Sequence, residues 1–158
     1  MNNNQIFVIL HNIRSTHNVG SVFRTSDAGG VGKIFLTGYT PAPIDRFGRK
    51  VKDIEKVALG AEDTIPWKKT EDIFQVVNDL KKDGFTIVAI EQAENSVDYK
   101  KVEVKEKIVL IMGNEVTGVE KEVLDVCDVV VEIPMKGEKE SLNVSVAFGI
   151  ALFRVLGI

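Results

Sequence analysis

Ser141 and Asn143 stand at the mouth of an apolar run, residues 144–153, broken only by Ser145 and Gly149. A buried helix there would hold its leading polar residues rigidly, with main-chain amides and the positive dipole end directed outward. Three more polar groups follow apolar runs in the same way. His11, Asn12, Arg14, His17 and Asn18 come after 6–10, Glu91 and Gln92 after 85–90, and Gly113, Asn114 and Glu115 after 107–112. Such residues can bind a ligand and hold it in place. They do not make the common catalytic sets. Two histidines and one cysteine give no metal site of usual spacing, and no Ser/His/Asp order reads as a nucleophile elbow. The glycine-rich 29–33 has no phosphate-loop spacing, lies between helix and strand, and is accompanied by no G-x-G-x-x-G.

Charge adds a direction. The chain of 158 residues is −3 overall, yet residues 11–52 hold seven basic residues against Asp27 and Asp45. A segment of +5 in an acidic chain points to an anionic partner on one face. Arg14, His17, Arg46, Arg49 and Lys50 are the candidate contacts, and the basic groups around Phe47 in "DRFGRKVKD" (45–53) suit phosphate neutralisation with base stacking. Cys127, alone among valines, reads as a small buried hydrophobe in a reducing cytoplasm, and Trp67 as packing. The apolar run 144–153 is far short of the roughly 20 residues that span a bilayer. The N-terminus has neither signal-peptide nor transit-peptide character.

The elements that must position these residues follow from periodicity. Strands are expected at 6–10, 33–37, 85–91, 107–113 and 129–135, all continuously apolar. Helices are expected at 18–28, from a Thr70 cap to 82, at 119–127, and at 142–156 with Ser141 as cap. Residues 38–52 read as loop. Alternating strands and helices with apolar strands predict an α/β fold, a mostly parallel sheet covered on both faces, in a single domain over 1–158 without an appended RNA-recognition domain. In such sheets ligands sit beyond the carboxyl ends of the strands, where the four polar groups collect.

Three stretches resemble the SpoU/TrmH class of SPOUT RNA methyltransferases: "NIRSTHNVGSVFRTSDAGGVGKIFLTG" (12–38), "VLIMGNEVTGVEKEVLDVCD" (109–128) and "VVVEIPMKGEKESLNVSVAFGIALF" (129–153). The resemblance implies a C-terminal trefoil knot, a homodimer, and methyl transfer from S-adenosylmethionine to a ribose 2′-hydroxyl of RNA. On the pattern of small relatives, tRNA is favoured over rRNA. It also implies roles: Asn18, Arg24, Glu115, Ser141 and Asn143 for catalysis, and Ile90, Gly113, Ile133, Ser141 and Leu142 for the cofactor. Arg24 would be essential, steered by Glu115, with Ser141 and Asn143 helping to position it. No metal is implied. Two readings compete: an RNA-binding member of the fold without transfer activity, and an unrelated α/β small-molecule protein.

Overall fold

The computed structural model describes residues 5–103 and 105–158; the reading of the leader falls on residues 1–4, outside them. Seven strands form one parallel sheet: β1 (Gln5–His11), β2 (Lys33–Thr37), β3 (Trp67–Lys69), β4 (Thr86–Ile90), β5 (Val97–Asp98), β6 (Lys107–Met112) and β7 (Val129–Glu132). Their spatial order is β3-β2-β1-β6-β4-β7-β5. The helices are α1 (Thr16–Ala28), α2 (Lys52–Ala58), α3 (Ala61–Thr64), α4 (Ile73–Lys82), α5 (Lys121–Asp125) and α6 (Val144–Leu156).

Alternation along each strand sorts the core into two layers. Val8, Leu10, Ile108 and Leu110 pack with α1, α2, α3 and α6 through Val22, Phe23, Ile54, Ala61, Phe148 and Leu152. Ile9, Val109, Ile111 and Ile87 face α4 and α5 through Val76, Leu80 and Val123. Both sheet faces are therefore covered, which is why the strands are apolar throughout.

Several boundaries differ from the sequence reading. The cap of α4 is Asp72, whose carboxylate accepts from the amides of Phe74 and Gln75, in place of Thr70. Asn143, not Ser141, caps α6 by accepting from the amide of Ser145. Sheet pairing of the last strand ends at Glu132, so Ile133 and Met135 are free to wall the ligand edge. Helix α2 occupies the end of the expected loop and beyond. Its Ile54 and Ala58 are buried at i,i+4 spacing, but Leu59 and Gly60, both left-handed, close it without the usual single glycine. Strands β3 and β5 were not read because three and two residues carry no period; β3 is an edge strand guarded by exposed Lys68 and Lys69. Trp67 packs against the core as expected. Among the described residues no helix is long and apolar enough to cross a membrane, and no cluster of metal-ligating side chains occurs.

Candidate active site

The carboxyl ends of β4, β6 and β7 open onto one cleft of about 190 Å³. Ile90, Gly113, Ile133, Ser141 and Leu142, all five cofactor candidates, line it, with Met112, Val144 and Ala147 among the remaining apolar wall. Its rim is the loop 113–118. Asn114 shapes that loop by accepting from the amides of Val116 and Thr117 at 2.8 and 2.9 Å, while its backbone pairs with Gly118. The loop is closed so tightly that a Cβ at Gly113 would lie 2.5 Å from the Gly118 carbonyl. Gly118 has φ +69° and a carboxylate oxygen of Glu91 where its Cβ would be, so only glycine fits there. The same carboxylate accepts from the Val119 amide at 2.8 Å. Opposite, the Gln92 side chain donates to the Glu140 carbonyl at 2.8 Å and so ties β4 to the segment that leads into α6.

Glu115 projects from the same loop toward α1. Its carboxylate accepts from the amides of Arg14 and Ser15 at 3.1 and 3.0 Å and from the Asn18 side chain at 3.2 Å. Burial by itself would raise its pKa. The main-chain amides of Arg14, Ser15 and Glu115 itself, with the Asn18 amide, outweigh that and hold it below the usual carboxylate value. Asn18 is buried, and its Oδ1 accepts from the Asn143 side chain at 3.2 Å. Asn143 Oδ1 in turn accepts from the amide and hydroxyl of Ser145. Ser15 caps α1 by accepting from the Asn18 amide at 3.1 Å. One ladder, Glu115–Asn18–Asn143, thus locks the starts of α1 and α6 to the cleft.

The ladder differs from the expected arrangement. Glu115 orders the turn before α1, and among the described residues no hydrogen bond or ion pair joins it to Arg24. Arg24 stands on the exposed face of α1, six residues beyond Asn18, or about 9 Å along the axis. Ser141 lines the cleft but is not the cap. The close approach seen at Gly113 is to the backbone of Gly118. Arg14, His17, Arg46, Arg49 and Lys50 are all exposed. His11, expected just beyond the first strand, instead ends β1 and is buried, with Nδ1 2.8 Å from the Thr37 hydroxyl and Nε2 3.1 Å from Glu120. Cys127 is half-buried, its thiol donating to the Val123 carbonyl, and burial pushes its pKa up to about 11.

Three residues that the sequence placed in the polar groups, without a role of their own, are positioning residues. Asn114 also donates to the Asn12 carbonyl and the Tyr39 hydroxyl, both at 2.9 Å. Asn12 adopts φ +55°, and its side chain meets Glu120 and the Tyr39 amide. Glu91 holds the turn at Gly118. The available signal was position: each directly follows a strand or the first residue beyond one.

Comparison with known proteins gives this geometry relatives. Residues 5–153 match the SpoU rRNA Methylase family. The chain is 34% identical over 148 residues to a tRNA (guanosine(18)-2′-O)-methyltransferase of Aquifex aeolicus, covering 94% of this chain and 67% of that protein. It is 31% identical over 148 residues to a TrmH family protein of Staphylococcus aureus, covering 94% of this chain and 57% of the relative. The structure of an AdoMet-bound rRNA methyltransferase from Sinorhizobium meliloti superposes with a TM-score of 0.87 at 30% identity, over 96% of this chain and 55% of that one. The chain therefore spans between about half and two thirds of the length of these relatives.

Proposed function

The chain belongs to the SpoU rRNA methylase family, and on that premise we propose that it transfers a methyl group from S-adenosylmethionine to a ribose 2′-hydroxyl of RNA. The carrying observation is that the cleft and the Glu115–Asn18–Asn143 ladder share one loop, so a bound cofactor and the RNA-facing start of α1 are set by the same residues. The cleft suits an adenosyl group: Ile90, Ile133 and Leu142 offer apolar wall, and the turn at 113–118 brings main-chain polar groups to its rim. When bound, the cofactor supplies an activated methyl on a sulfonium, leaving a thioether as the hydroxyl gives up its proton.

The chain's own task is alignment. Asn18, buried and held from both sides, fixes the first turn of α1. Arg24 presents its guanidinium fork to a phosphate beside the reacting ribose and to the oxygen that loses its proton. A second copy of the chain packs on α6, whose exposed Val146 and Phe153 support this pairing. Transfer RNA is placed ahead of ribosomal RNA because the Aquifex relative is named for a tRNA guanosine.

The experiment is tritium transfer from labelled S-adenosylmethionine to bulk tRNA and, separately, to ribosomal RNA, with Arg24→Ala alongside. Label in RNA that disappears with the substitution supports the reading. Cofactor binding by calorimetry without label in either RNA would favour the RNA-binding role without transfer.

A further inference from the structure

Residues 44–50 form a small closed hairpin ahead of α2. Ile44 and Lys50 pair as an antiparallel bridge, and the Asp45 amide donates to the Arg49 carbonyl at 2.8 Å. The Asp45 carboxylate accepts from the amides of Phe47 and Arg49 at 2.8 and 3.0 Å and from Arg49 Nε at 2.9 Å. Lys50 Nζ sits 3.3 Å from both Glu55 and Asp63, stapling the hairpin to α2 and α3. Thr16 Oγ1 donates to Asp53 at 3.4 Å, which fixes the start of α2 beside the start of α1, next to His17. On this braced turn Phe47 is 66% exposed, with the guanidinium carbons of Arg46 and Arg49 at 4.8 and 4.9 Å from its ring centroid.

A lone exposed phenylalanine needs no explanation. Here the ring is pre-positioned by a turn that Asp45 holds at three points, and it is accompanied by two exposed cations, Arg46 and Arg49. We propose that Asp45–Arg49 present a stacking platform for an unpaired nucleobase of RNA, with the ring and guanidinium planes taking the base and Arg46 the neighbouring phosphate. Charge complementarity commits the occupant: residues 11–52 carry +5, and a π-face flanked by cations suits a base on an anionic backbone. The platform rests on the proposed RNA reading and adds a recognition site away from the reacting atoms. It also divides roles among residues that the sequence grouped together. Lys50 is a staple, while Arg46, Phe47 and Arg49 are the contact surface.

The test uses the full chain and a single-stranded RNA carrying 2-aminopurine, with its duplex as competitor. Stacking is expected to quench the probe. Phe47→Leu should weaken binding roughly tenfold and abolish the quench, without changing the slope of log affinity against log salt. Arg46→Ala should lower that slope by about 0.7, the contribution of one single-strand phosphate contact. Unchanged cofactor binding by calorimetry confirms that each variant is folded. Phe47→Leu binding and quenching like wild type, or duplex competing as well as single strand, overturns the platform. Methyl transfer is scored in parallel. Transfer by wild type with no effect of Phe47→Leu on RNA affinity sinks the platform alone. Quenched binding that depends on Phe47, with no transfer to any RNA, supports the platform while the transfer reading fails.

Discussion

Asn143 donates to Asn18 at 3.2 Å across 125 positions of sequence, and in doing so joins the first turns of the first and last helices. Both side chains have a second task. Asn18 donates to Glu115, and Asn143 caps α6. Neither group is free to turn, which is what a site that works by alignment requires.

A double-mutant cycle measures that join. Asn143→Ala removes a cap and a side-chain bond and is expected to cost about 1–2 kcal/mol in chemical denaturation. Asn18→Ala is expected to cost about 1–3 kcal/mol, since it leaves a partly buried carboxylate short of a donor. The double variant should cost less than the two together by at least about 0.5 kcal/mol. Additive costs would mean that the bond contributes nothing.

Glu115 sets a pH dependence. Its folded pKa lies below its ordinary value, so its stabilisation is complete above the ordinary carboxylate range and is lost as pH falls through the folded value. Wild type should exceed Glu115→Gln in stability at pH 7, and the gap should close as pH is lowered below about 4. A gap of constant size from pH 7 to pH 3 would assign the effect to something other than the charge.

The turn at 113–118 is expected to be intolerant of any side chain. Gly113→Ala must push the Gly118 carbonyl aside, and Gly118→Ala meets both a left-handed backbone and the Glu91 carboxylate. Each should weaken cofactor binding by at least about tenfold in calorimetry, at a stability cost on the order of 1–3 kcal/mol. Near-wild-type affinity in either variant would show that the turn is not part of the cofactor site.

Arg24→Ala and Phe148→Ala should separate activity from stability. Phe148 is fully buried, and truncation should cost about 3–5 kcal/mol. Arg24 is exposed, so its loss should change stability by no more than about 0.5 kcal/mol while removing transfer. A large melting shift for Arg24→Ala would make it a structural residue.

Cys127 should be slow to alkylate. With its pKa near 11, roughly one thousandth of the thiol is ionised at pH 8. Iodoacetamide labelling of the folded chain should lag that of the denatured chain by orders of magnitude; equal rates would place the thiol in water.

Long apolar strands and amphipathic helices were legible because each is a periodic answer to burial on one or two faces. Val8, Ile9 and Leu10 alternate between two core layers, which is what a strand covered on both faces does with a continuous apolar run. The polar residues of the cleft were legible as a set because each follows a strand. What could not be read was which polar atom meets which. Ser141 and Asn143 are equally plausible caps by type, and the choice is made by a donor that Asn18 attracts from 125 residues away. Asn12 and Asn114 were visible as members of those groups but carried no role, because nothing in a local window marks a side chain whose partners lie in other loops. The basic residues at 45–50 were visible as charge, but their division into staple and surface depends on Asp63, which α3 brings within reach.

Strand order also governs the sequence of events at synthesis. Strand β6 lies between β1 and β4, and β7 lies between β4 and β5. A nascent chain that has emerged only through residue 98 holds β1, β4 and β5 with no neighbour joining them. Their edges stay open until residues 107–132 arrive to fill both gaps. At about 5–20 residues per second that interval is a few seconds, during which one edge of β1 and both edges of β4 stand unpaired and open to capture. Folding of this chain is thus deferred to its last third, and loss of that third leaves an unfilled sheet in place of a smaller working domain.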